Sequence, residues 1–113
     1  MKYALPLIAI ACASCASSPT TPEAAASAML DKSRMHLHDG RYDAARDSIL
    51  SMREKYPTAL ESRAQGILLL DSIEMIAARD SMDSATGEEW KRLSIKAQFF
   101  ERKLQEDKKK LAK

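Results

Sequence analysis

Two histidines, two cysteines and scattered carboxylates and serines are the residues of this 113-residue chain that could carry chemistry. Their spacing decides how much. His36 and His38 are the only histidines; two residues apart on a helix they point about 200° from each other, so they cannot converge on one metal ion. Cys12 and Cys15 both lie within the first 15 residues, which removes a disulfide framework or thiolate metal site from the body of the chain. Asp80, Asp83, Glu88 and Glu89 gather at a helix end and turn, where capping and solvation account for them. The alternating oxygen ligands and glycine of a calcium loop are missing there. Ser48, Ser51, Ser62, Ser72, Ser81 and Ser84 have no base at a telling spacing, and neither a glycine-rich phosphate loop nor a nucleophile elbow occurs. The expectation is a chain without catalysis, cofactor or metal.

The cysteines belong to an N-terminal segment with a different purpose. Lys2 supplies a positive charge, and Tyr3 to Ala11 is an unbroken apolar run of nine residues ending in small residues, the layout of a secretory signal. It is too short to span a bilayer as a helix. Residues 11–18, Ala-Cys-Ala-Ser-Cys-Ala-Ser-Ser, resemble the lipobox of bacterial lipoproteins, in which small residues precede a cysteine that is acylated and becomes the new N-terminus. The resemblance implies acylation of Cys15, which follows Ala13-Ser14 but has Cys12 where the family prefers Leu. Cys12, behind Ala9-Ile10-Ala11, is the alternative site, and a plain secretory signal leaving a secreted or periplasmic soluble protein is the alternative outcome. Residues 1–15 are thus read as the signal and 16–21 as a polar tether, which reaches no more than roughly 20–25 Å from its anchor. In such lipoproteins an Asp after the acylated cysteine signals inner-membrane retention. Ala16 stands there instead, so the resemblance implies the outer membrane, facing the periplasm.

The elements that must position everything else are helices. The chain is 45% hydrophobic and 30% charged with three Gly and four Pro, a mix that favours helix and one domain, residues 22–113. Thr21-Pro22-Glu23 is a helix start: Thr21 as N-cap, Pro22 where a missing N–H costs nothing, Glu23 facing the positive end of the dipole. That helix should run 22–38 and end at Asp39-Gly40, since glycine takes the left-handed conformation without strain. A second, 41–55, places Tyr42, Ala45, Ile49 and Met52 along one face before Pro57 stops it. Thr58-x-x-Glu61 and Thr86-x-x-Glu89 read as capping boxes that open a third helix, 59–82, and a fourth, 87–112. The third carries Leu60, Ala64, Ile67, Leu68, Leu70, Ile73, Ile76 and Ala77, an apolar surface wide enough to be covered from two sides. In the fourth, Trp90, Leu93, Ala97, Phe100, Leu104 and Leu111 form a heptad seam broken only at Asp107. Helices three and four have matched lengths and a short connection, so they should fold as an antiparallel coiled-coil-like hairpin.

The segment from Gly40 to Pro57, with Gly40, Tyr42, Ala45, Ile49, Met52 and Pro57 at their offsets, resembles the second helix of a tetratricopeptide repeat. Met29 and Ser33 fit the first helix of such a repeat, whereas Lys32 and His36 stand where Leu and Tyr are usual. The match covers about 34 residues, 26–59, and the third helix departs from the repeat at Arg63 and Gly66. The resemblance implies a helical hairpin in which Ala45 is small because the first helix crosses there. Lipobox, repeat-like hairpin and charged C-terminal helix together resemble small bacterial lipoproteins of unknown function.

Charge is unevenly spread: nine Lys/Arg stand against five Asp/Glu from Glu88 onward, and eight against eleven between Pro22 and Gly87. A solvated helix end favoured by the dipole accounts for this, and contact with anionic head groups is the sharper reading. Export removes nucleic acid as a partner. The expected function is that of a membrane-tethered periplasmic adaptor binding a protein in the envelope. Tyr42, Ala45, Ile49, Met52, Trp90, Leu93, Phe100 and Leu104 are its expected core or binding residues. The alternative is a structural lipoprotein that self-associates, as a homodimer, through helix four.

Overall fold

The computed structural model describes residues 21–112, so the signal segment, Cys12, Cys15 and tether residues 16–20 lie outside the described residues. Within them the chain is all-α, as its composition and periodicity require, with no strand among the described residues. Four helices follow in order: α1 (Pro22–His38), α2 (Tyr42–Lys55), α3 (Leu60–Met82) and α4 (Gly87–Leu111).

Local chemistry sets the ends of α1. The Thr21 hydroxyl accepts a hydrogen bond from the Ala24 N–H at 3.0 Å, with Pro22 in the first helical position. At the other end Gly40 adopts φ +76. The Gly40 N–H then reaches the Leu37 carbonyl (3.0 Å) and the Arg41 N–H the His36 carbonyl (2.8 Å), which closes a Schellman turn and satisfies two carbonyls the helix leaves open. The α2–α3 turn is held by Arg63, whose guanidinium donates to the Pro57 carbonyl at 2.9 Å. This is where the third helix leaves the repeat pattern.

The two expected capping boxes do not form. The N-cap of α3 is Ala59, one residue beyond Thr58, and it has no side-chain cap. The open N–H groups of α3 are instead met from another helix: the Glu23 carboxylate accepts from the backbone of Glu61 (2.9 Å) and Ser62 (3.2 Å) and from the Ser62 hydroxyl (2.9 Å). A carboxylate there is favoured by the dipole of α3 as well as by the hydrogen bonds, so Glu23 serves a helix 38 residues away besides its own. Thr86 is the N-cap of α4 but its hydroxyl caps nothing. Gly87 turns to φ +61, which carries the following N–H groups away from the Thr86 side chain.

Helix α3 is the centre of the molecule. One side packs on α1 and α2 and the other on α4, while α4 packs on α3 alone. The tightest core lies between the first three helices, where Ala26, Leu30, Ala45, Ile49, Met52, Ala59 and Ile73 are buried. Close approach there depends on Gly66: a Cβ at that position would stand 3.0 Å from the Met52 methyl and 3.4 Å from an Ile49 methyl. Leu60, expected on the covered surface of α3, is 70% exposed because at the start of α3 it is Ala59 and Ser62 that face inward, Ser62 towards Glu23 of α1, while Leu60 points to water.

Candidate functional site

The α1–α2 crossing is built from small residues. Ala45 is fully buried, and Ser33 of α1, also fully buried, donates its hydroxyl to the Ala45 carbonyl at 2.8 Å. That bond lets a polar side chain occupy the crossing without an unmet partner. Ile49 and Met52, one and two turns further along α2, are buried between α1 and Gly66 of α3, and Tyr42 packs at the edge of the same cluster. The Tyr42 hydroxyl donates to Asp80 at 3.1 Å, and desolvation together with that bond raises its phenol above the ordinary value.

Polar clamps fix α3 against its neighbours on both sides. Arg46 of α2 grips Glu74 through two parallel bonds, Nε to Oε2 at 2.5 Å and a second guanidinium nitrogen to Oε1 at 3.0 Å. Glu74 also faces Lys96 of α4 at 3.8 Å, so one carboxylate ties three helices. Towards the other end of α4, Lys103 bonds Asp71 of α3 at 3.2 Å and Asp107 of its own helix at 2.8 Å. Asp71 is only 3% exposed, and its Oδ2 has no hydrogen-bond partner among the described residues. Desolvation, reinforced by the neighbouring Asp107 carboxyl and opposed by Lys103, pushes the Asp71 carboxyl up to about 6. Asp107 moves the other way, below the usual carboxylate range, held there by Asp71 and Lys103. The position that interrupts the α4 seam is thus a polar bridge to the one buried acid of α3.

The seam itself faces α3. Leu93, Ala97 and Leu104 are buried and Phe100 is half-buried. Trp90 departs from the expected core: it is 46% exposed, because it lies in the first turn of α4, past the end of α3, whose last residue Met82 sits beside Ser94 and Gln98. Leu111 is exposed at the other end for the same reason. Since α3 occupies this face, the seam is not an open docking surface, and Leu93, Ala97 and Leu104 serve packing within the chain.

Apolar surface is left elsewhere. Met35 of α1 is 67% exposed beside a shallow trough of about 260 Å³ lined with Arg34, His38 and Asp39. Leu50 of α2 and Leu60 of α3 are also exposed. On the outer side of α4, Ile95 is 63% and Phe99 51% exposed. Sequence periodicity missed this second α4 stripe because the seam on the opposite face carries the stronger repeat. His36 is half-buried and His38 exposed, on a helix whose His, Cys, Asp and Glu side chains form no cluster of three suited to a metal among the described residues. No described helix is long and apolar enough to cross a membrane. No family model, curated protein or solved structure matches the chain.

Proposed function

We propose that this protein is a membrane-tethered, periplasm-facing helical adaptor that binds another envelope protein and performs no catalysis itself. In this reading Cys15, or Cys12 in its place, carries the lipid anchor, and α1 and α2 form a tetratricopeptide-like hairpin that presents the binding surface. The carrying observation is that the first three helices leave large apolar side chains in water, among them Met35, Leu50 and Leu60. Each stands on a helix that contributes to the buried cluster, α1 through Leu30, α2 through Ile49 and Met52, and α3 through Ile73 and its N-cap Ala59, so a partner can cover them without first ordering the surface, which conserves affinity. Self-association through the α4 seam is the weaker reading, because that seam would have to leave α3 first.

Photo-crosslinking in the native cell tests this, with a crosslinking residue introduced at Met35 or Leu60. One abundant envelope protein attached at these positions, and absent when the residue is placed at exposed Asp47, is the expected result. Crosslinks only to a second copy would replace the adaptor by the structural reading. Separately, palmitate incorporation that survives in both Cys12→Ala and Cys15→Ala, or is missing from the wild type, would remove the anchor.

A further inference from the structure

On a helix, residues three, four and seven apart share a face, and the side of α4 turned away from α3 reads Ile95, Phe99, Arg102, Glu106 and Lys109-Lys110. Ile95 and Phe99 are exposed. Phe99 is nevertheless fixed in place, its ring stacked edge-on against half-buried Phe100 with centroids 5.0 Å apart. Next to it lies a trough of about 400 Å³ along Arg102, Lys103, Glu106, Asp107 and Lys110. Four other cations of α4 are engaged, Lys91 with Glu88, Arg92 with Glu89, Lys96 with Glu74 and Lys103 with Asp71 and Asp107, while Lys108 lies towards α3 beside Gln65 and Leu68. Among the described residues Arg102, Lys109 and Lys110 form no ion pair; of the two acids lining the trough, Asp107 is engaged by Lys103 and Glu106 is not. Two apolar side chains bordered by three available cations are therefore presented together along the outer side of one helix.

We infer that this face of α4 lies on an anionic phospholipid surface, with Ile95 and Phe99 entering the boundary between head groups and acyl chains and Arg102, Lys109 and Lys110 on the phosphates. Charge complementarity argues for that occupant, since apolar side chains flanked by unpaired cations match the chemistry of a lipid interface. Placement within the fold agrees. Glu23 joins the first turn of α1 to the first turn of α3, and Lys108 of antiparallel α4 lies beside Gln65 and Leu68 of α3. Pro22, where the chain enters α1, and the basic end of α4 are accordingly at the same end of the molecule. A tether leaving from Pro22 would bring this face to the membrane that holds it. The inference rests on the tethering reading for this orientation alone, because the face has its own attraction for anionic lipid.

The test places the full chain, carrying Trp90→Phe and Phe99→Trp, with vesicles of zwitterionic lipid or of mixed zwitterionic and anionic lipid, either brominated along the acyl chains. Flotation with zwitterionic vesicles reports the anchor, whereas quenching of the tryptophan in anionic but not zwitterionic vesicles reports the face. We expect the quenching to weaken at high ionic strength and Arg102→Glu to lower binding about fivefold or more, with helicity by circular dichroism unchanged. A second probe, Met35→Trp in the Trp90→Phe background, is expected to stay unquenched. A Phe99→Trp signal that is unquenched on anionic vesicles overturns the inference, as does equal quenching on both lipids. Crosslinking of this face to a protein instead of lipid overturns it as well, and none of these outcomes bears on whether the chain is acylated.

Discussion

At the scale of single residues, the polar groups that matter most are those whose partners lie far along the chain. Glu23 was legible as a first-turn acid, but nothing local shows that its carboxylate reaches Glu61 and Ser62; a three-residue motif records only neighbours in sequence. Glu23→Ala should remove that cap and lower stability by about 1–2 kcal/mol, while Thr58→Ala, at the unformed box, should change it by less than about 0.5 kcal/mol. Urea unfolding of the two variants distinguishes the caps. Asp71 makes a prediction about pH. Its folded carboxyl titrates near 6 against an ordinary 3.8, so the folded state holds this proton more tightly than the unfolded chain. The resulting stabilisation is complete below about 3.8 and is lost as pH rises through about 6. Asp107 runs oppositely: its depressed pKa contributes stability above 3.8 that is lost on further acidification. Relative to Asp71→Asn, the wild type should therefore gain stability from pH 6 down to pH 4, read as the difference between two unfolding series. Parallel curves across that window would mean that Asp71 is ionised throughout it.

At the scale of elements, helix existence, order and approximate ends were readable because periodicity and breakers are local: Asp39-Gly40 and Pro57 act wherever they occur. What periodicity could not supply was which apolar residues lie opposite a neighbour. Leu60 and Trp90 fit their stripes but sit in terminal turns on the side left open to water. Conversely, Gly66 reads as a weak point in an isolated helix, and its reason becomes visible only where Met52 and Ile49 close over it. The α1–α2–α3 junction thus depends on smallness at three positions, Ser33, Ala45 and Gly66. Ala45→Leu should overpack the crossing and lower stability by roughly 1–3 kcal/mol, and Gly66→Val should do so similarly because its branched Cβ adds methyls where the first carbon is already in contact. Thermal melting measures both. A wild-type midpoint for either variant would place the close approach elsewhere.

For the whole molecule, stability is unevenly distributed. A lone pair of helices such as α1 and α2 buries little core by itself, and α3 compensates by packing between that pair and α4. The two sides of α3 are not equivalent. Its contact with α1 and α2 buries Ile49, Met52 and Ile73 completely and is closed by the Glu23 cap and the Arg46–Glu74 pair. Its contact with α4 is long but less completely closed, with Leu93, Ala97 and Leu104 each a little exposed and an acid in the middle whose Oδ2 is unmet. Because α4 rests on no other helix, it can separate while α1, α2 and the first half of α3 stay folded, and local opening of this kind needs less free energy than global unfolding. Native-state hydrogen exchange should therefore show the amides of α4 exchanging on the order of a hundredfold faster than those around Ile49 and Met52. Leu104→Ala should widen that gap by speeding α4 exchange, leaving the slowest α2 amides unchanged below the denaturant that unfolds the whole domain. Equal protection of α2 and α4, rising and falling together with Leu104→Ala, would instead make the four helices one cooperative unit and deny α4 any independent opening.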